Sequence, residues 1–224
     1  QSNGIAIGLR AGNTQQQSNG IAIGVEAGYV TQGTHSVAVG YFAGNGNQGE
    51  EAVAIGNFAG NTLQQTNAIA IGVQAGGNIH PQFSIAIGSD AGRTNVADHD
   101  GNTVAIGSAA GHTDQGAYSI AVGTSAGNTL QNENCVAIGK QSGQVNQATS
   151  CVAIGELSGN NGQGGTVGYS VAIGNRSGNL NQADYSVAIG HLAAQSNQSR
   201  RCVAIGDSAG VDLQQPNSVA IGFL

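Results

Sequence analysis

Two β-branched aliphatic residues flank an alanine, and a glycine follows, again and again along this chain of 224 residues. The phrase reads Ile5-Ala6-Ile7-Gly8, Val37-Ala38-Val39-Gly40, Val136-Ala137-Ile138-Gly139 and, near the end, Val219-Ala220-Ile221-Gly222. Its glycine falls at 8, 24, 40, 56, 72, 88, 107, 123, 139, 155, 174, 190, 206 and 222, a spacing of 16 broken by two steps of 19. A fixed period with one strand-like phrase per copy predicts a solenoid, in which each copy is a coil stacked on the last. The predicted fold is therefore all-β: a parallel β-solenoid of 16-residue coils with about 14 rungs. A strand that is apolar on both faces is covered on both faces. Alternation puts the bulky Ile and Val on one face and the alanines on the other. The bulky face is expected to fill the coil, leaving the smooth alanine face for a second chain. The interface candidates on that reading are Ala6, Ala22, Ala38, Ala54, Ala70, Ala86, Ala105, Ala121, Ala137, Ala153, Ala172, Ala188, Ala204 and Ala220.

The columns around the phrase are as regular. Four residues before the glycine the side chain is small, as in Gly20, Ser36, Ala52, Cys135 and Ser186. Three residues after it stands Ala or Ser, and then Gly, replaced once by Ala194. These glycines supply positive φ or close backbone approach at turns. The two variable residues between the glycines, such as Arg10, Glu26, Asp90, Lys140 and Glu156, carry much of the charge and should face solvent. Eight residues after the phrase glycine comes a glutamine: Gln16, Gln32, Gln48, Gln64, Gln115, Gln131, Gln147, Gln163, Gln182, Gln198 and Gln214, with only His80 and Val96 in its place elsewhere. A primary amide can bond the same amide one rung up and one rung down, so a stacked ladder is predicted; a polar turn residue is the alternative. A second, weaker strand is expected around that glutamine. The two longer steps are read as three-residue bulges of a turn, within 92–107 and 158–174, in one repeat domain spanning 1–224 and continuing a longer solenoid.

Composition alters this picture little. Only 8% of residues are charged and Gly numbers 38, which by itself suggests disorder, but a disordered chain has no reason to place Val or Ile at two fixed positions per repeat. Collagen is excluded because Gly does not fall every third residue and only Pro81 and Pro216 are proline. A net charge of −6, with basic residues that form no stripe, argues against nucleic acid. No apolar run spans a bilayer, so no membrane insertion is expected of this segment.

The phrases Ser36-Val37-Ala38-Val39-Gly40, Ser186-Val187-Ala188-Ile189-Gly190 and Asn217-Ser218-Val219-Ala220-Ile221-Gly222 resemble the head repeat of trimeric autotransporter adhesins. The resemblance covers the whole chain, although the repeat of that family is shorter. It implies a left-handed parallel β-roll, three chains side by side, displayed at a cell surface. Similar arrays occur in fibre proteins of phages and large viruses, which keeps a virion surface open as a location. The expected partners are further copies of the chain, laterally as a homotrimer or end to end as a filament, and a host or matrix surface molecule.

Candidate chemistry is sparse. Asp98-His99-Asp100, in the first bulge, is the one metal candidate, against the plainer reading of a solvated loop. No cofactor motif, nucleophile–base arrangement or paired carboxylates are found, so the chain is expected not to be an enzyme. Cys135, Cys151 and Cys202 share the small column and read as free thiols standing in for Ser or Ala. Tyr169 and Tyr185 fall on adjacent rungs, where they can stack, with Phe83 and Tyr118 in the same column; an exposed ladder there could bind sugars or another protein, against the plainer reading of local turn stabilisation. An ice-binding surface would need a regular Thr array, and Thr appears in the relevant column only at 14, 62, 94, 113 and 129.

Overall fold

The computed structural model of the chain describes residues 3–94 and 101–223. It is an all-β parallel β-solenoid of about 13 turns with no helix among the described residues. The chain divides into two compact units, Gln1–Thr113 and Asp114–Leu224. The first unit carries seven strand triplets, from Ile5–Ile7 to Val104–Ile106, and the second carries seven, from Ile120–Val122 to Val219–Ile221.

Within each unit every triplet pairs in parallel with the next, in unshifted register. Ala22 lies beside Ala38 and Ala38 beside Ala54; in the second unit Ala137 lies beside Ala153 and Ala188 beside Ala204. The identical phrase in every coil fixes this register, since a slip by one residue would exchange the two faces of the strand. A second, narrower sheet backs the first. In the first unit it runs through the pairs Gln15–Gln16, Thr31–Gln32, Asn47–Gln48, Leu63–Gln64 and Ile79–His80. In the second unit Thr129–Gln131 pairs with Val145–Gln147, and beyond them single bridges continue the line through Asn161, Leu180, Ser196 and Asp212.

The turn after the triplet demands glycine. Gly123 has φ of +127°, and a Cβ placed on it would lie 2.6 Å from the carbonyl oxygen of Gly139 on the next coil. Two residues further on, non-glycine residues adopt left-handed backbone in coil after coil, among them Glu26 (φ 52°), Phe42 (φ 55°) and Ser125 (φ 54°). A second left-handed position precedes the triplet. There the chain often uses asparagine, as at Asn19, Asn67, Asn134 and Asn217, the residue that tolerates this conformation best after glycine.

The interior is the reverse of the sequence expectation. Ala22, Ala38, Ala54, Ala70, Ala121, Ala137, Ala153, Ala172, Ala188 and Ala204 have no exposed surface, and Ala86 and Ala105 have 1%. These alanines line the inside of the coil and are not available to a second chain. Ala6 is exposed and Ala220 half-buried, on the first and last triplets, which have a neighbour on one side only. The cause is the width of the coil. A Cβ built on Gly44, across the coil from Ala38, would sit 3.3 Å from the alanine methyl, and one on Gly127 would sit 3.2 Å from the Ala121 methyl. Nothing larger than alanine fits between walls that close. The Ile and Val residues therefore point outward.

Candidate functional site

The candidate features are one interior column and two surfaces. The interior column is the glutamine ladder. All eleven glutamines are buried, at 7% exposure or less. Each side chain crosses the coil from the second strand toward the first. Gln48 Nε2 donates to Val37 O at 2.8 Å and to Ala52 O at 3.3 Å; Gln182 Nε2 donates to Val171 O at 2.8 Å and to Ser186 O at 3.3 Å. The same two carbonyls, eleven residues back and four ahead, accept from Gln64, Gln147 and Gln214. The amide thus ties the second strand to the triplet of its own coil and to the start of the next. Direct amide-to-amide bonds join Gln48 to Gln64, Gln131 to Gln147, Gln147 to Gln163, Gln182 to Gln198 and Gln198 to Gln214, at 3.0–3.3 Å. The ladder is real, but backbone carbonyls take more of its hydrogen bonds than neighbouring amides do.

His80 stands in this column and is 1% exposed, and neither ring nitrogen has a hydrogen-bond partner among the described residues. Burial pushes its pKa down from 6.5 to about 4. The cysteines behave as the sequence suggests. Cys135 Sγ donates to Ala148 O at 2.9 Å and Cys202 Sγ to Gln215 O at 2.9 Å, the bond that Ser119 and Ser186 make to Asn132 O and Ser199 O in the same column. All three are free and buried, and burial pushes the thiols of Cys135 and Cys151 up to about 12 and about 11. Protonated, covered thiols are poor nucleophiles and poor metal ligands.

The first surface is the outward face of the triplets. Ile23, Ile55, Ile87 and Ile106 in the first unit, and Ile138, Ile154 and Ile205 in the second, keep 36–39% of their surface exposed. The Val and Ile residues at the start of the triplets, such as Val37, Val53, Val136 and Val187, are half-buried. The result is a double column of aliphatic side chains without a charge among them. In the first unit the edge following the triplet extends this apolar surface: Leu9, Tyr41 and Val73 are exposed, and Tyr41, Phe42 and Phe58 form an aromatic cluster with centroids 4.5–5.5 Å apart. The sequence predicts charged, solvated side chains at these variable positions. Between those apolar residues charged ones do stand there in both units, with Arg10–Glu26 at 3.0 Å in the first and Lys140–Glu156 at 3.3 Å and His191–Asp207 at 3.0 Å in the second. The exposed aliphatic face escapes a sequence reading because alternation separates two faces without saying which is inside.

The second surface lies on the back sheet of the second unit, around its longer coil. Here the extra residues form the exposed loop Gly165–Thr166–Val167, held by Asp184 of the following coil. Asp184 Oδ1 accepts from the amides of Val167 at 2.8 Å and Gly168 at 3.4 Å, and Oδ2 pairs with Arg200 Nε at 3.2 Å. Burial alone would raise the Asp184 pKa; the two amides and Arg200 outweigh it and hold the carboxyl below its usual range. Beside the loop Tyr169 and Tyr185 stack with centroids 5.5 Å apart and rings 6° from parallel. A groove of about 500 Å³ opens below, lined by Leu130, Asn132, Asn146, Ala148, Asn181 and Ala183 among others.

Asp98, His99 and Asp100 lie outside the described residues. Among the described residues no three His, Cys, Asp or Glu side chains come together as a metal site, and no helix is long and apolar enough to cross a membrane. No protein family model matches the chain, and comparison with curated proteins finds no significant match.

Proposed function

We propose that this chain is a non-enzymatic structural and adhesive protein of an extracellular fibre, and that its copies pack side by side as a homotrimer through the outward Ile and Val columns. The observation that carries the reading is that face. Seven triplets in the first unit present two such side chains each. At roughly 50 Å² apiece they offer about 700 Å², and the seven triplets of the second unit offer as much again, so each chain has about 700 Å² for each of two neighbours, close to the ~800 Å² per partner of a stable interface. An uncharged apolar patch of that size marks an interaction surface. Every copy carries the same face, and a cyclic group of three would close all of them around one axis. The likeness of the repeat phrase to adhesin heads supports the number three and the location outside the cell. A host or matrix surface molecule is the proposed target of attachment.

Light scattering over a wide dilution range tests this. A constant mass of three chains is expected, and Ile55→Asp together with Ile138→Asp should reduce it to one. A wild-type chain that remains a monomer at high concentration would overturn the reading.

A further inference from the structure

The back-sheet groove of the second unit is built from neutral parts. Leu130 is 45% exposed and gives it an apolar wall, while Ala148 and Ala183 keep its floor low. Asn132, Asn146 and Asn181 are exposed along it and bring amide donors and acceptors; Asn181 donates one of its two amide hydrogens to Asn197 Oδ1 at 3.1 Å and keeps the other and its oxygen. No lining residue is charged. The nearest buried charge on the following coil, Asp184, is already engaged by two backbone amides and Arg200. An ionic ligand entering such a groove would lose water without gaining a counter-charge, which disfavours it. A hydroxyl-rich neutral ligand meets no such penalty. Its hydroxyls match amides that both donate and accept, and its C–H faces match Leu130 and the alanines.

The spacing points the same way. Residues equivalent in successive coils are about 4.8 Å apart. Asn146 and Asn181 occupy the same place in coils two apart, with a glycine, Gly162, between them, so the groove has no tall wall interrupting its length. The pitch is comparable to one sugar residue of an extended β-linked chain. The same face of the first unit repeats the chemistry on a smaller scale: a groove of about 260 Å³ lined by Asn47, Leu63, Gln65 and Thr66, with no charged residue among the described ones that line it. A volume of about 500 Å³ lies within the usual range for small-ligand sites.

From this geometry we infer that the groove over Leu130, Asn146 and Asn181 binds a neutral, linear glycan, with the amides reading hydroxyl or acetamido groups and Leu130 packing against a sugar face. This rests on the adhesive reading and names the class of surface molecule it would hold. The fold supplies the reason for its place. The three-residue expansion, clamped by Asp184, sits beside the groove and is the one described interruption of the repeat in this unit.

Calorimetric titration of the full chain tests it, with cellohexaose and N-acetylchitohexaose as neutral probes and an alginate hexamer as the acidic control. Leu130→Asn and Asn146→Asp are the informative variants. Both replace residues with left-handed backbone, φ 54° and 55°, by residues that tolerate it, so folding should be preserved and is checked by melting temperature. Saturable uptake of at least one neutral hexamer is expected, weakened about tenfold or more by each variant, with no uptake of alginate. Absence of saturable binding by either neutral probe at millimolar concentration would overturn the inference. So would variants that bind like the wild type, or alginate binding as well as the neutral hexamers. The particle mass keeps the two proposals separate: three chains without sugar binding refutes the glycan alone, whereas a sugar-binding monomer refutes the trimeric fibre alone.

Discussion

Replacing His80 by glutamine should remove a large part of the acid sensitivity of the first unit. The imidazole is 1% exposed and its two nitrogens have no hydrogen-bond partner among the described residues. The glutamine one coil earlier, Gln64, donates to Val53 O at 2.8 Å and Ala68 O at 2.9 Å from the equivalent place. At neutral pH the substitution should therefore stabilise by about 1–3 kcal/mol, the range set by relieving unsatisfied buried polar atoms. Acid widens the difference. In the unfolded chain His80 titrates near 6.5 and in the folded chain near 4. Between those values only the unfolded state binds the proton, so wild-type stability is intact above pH 6.5 and falls as pH drops toward 4. Lowering the pH by one across that interval costs about 1.4 kcal/mol, so the full loss is about 3 kcal/mol. Below pH 4 the loss levels off, because both states then bind the proton. Urea unfolding of both proteins at about pH 7.5 and about pH 4.5 measures it. All other titrating groups are common to the pair and cancel in the difference. The wild type should lose about 2–3 kcal/mol more than His80→Gln across that interval. Equal losses in the two proteins would refute the reasoning, because the buried neutral imidazole would then not be coupled to folding.

Gln147→Ala strips donors from Val136 O and Cys151 O and breaks the bonds to Gln131 and Gln163, so it should destabilise the second unit by about 2–4 kcal/mol in urea unfolding. Ala153→Val adds volume to a coil already closed at alanine and should cost about 1–3 kcal/mol, read as a lower melting temperature. Ser125→Gly relieves a left-handed residue and should raise stability by about 0.5–1 kcal/mol by the same measure. Asp184→Asn should leave the protein folded at neutral pH but speed amide hydrogen exchange at Val167, while Gly168, whose amide also donates to Gly164 O at 2.7 Å, should stay protected. In the wild type the protection of Val167 should fade as pH drops through the depressed Asp184 pKa, since its amide is held by the carboxylate.

Much of this protein is written in its columns. Period, strand phrase and glycine pair determine a parallel solenoid of 16-residue coils, because only stacked copies of one coil satisfy a pattern repeated so strictly. The glutamine column announces buried, stacked amides, and the cysteines declare themselves as serine substitutes by sharing the serine column. The asparagines before the triplets mark left-handed turns, a signal present in the sequence and read only with the backbone in hand. What no column states is which side of the triplet faces inward. Alternation fixes that Ala38 and its Val37 and Val39 neighbours point opposite ways; both assignments satisfy it equally. The tertiary structure decides, through the distance between the two walls of the coil: Gly44 opposite Ala38 leaves room for a methyl group and no more. That one dimension turns the alanines into the core and the Ile and Val columns into a surface. Likewise only the fold joins Leu130, Asn146 and Asn181, from separate coils, into one groove, because residues 16 or 35 apart in sequence become neighbours only when the coils stack.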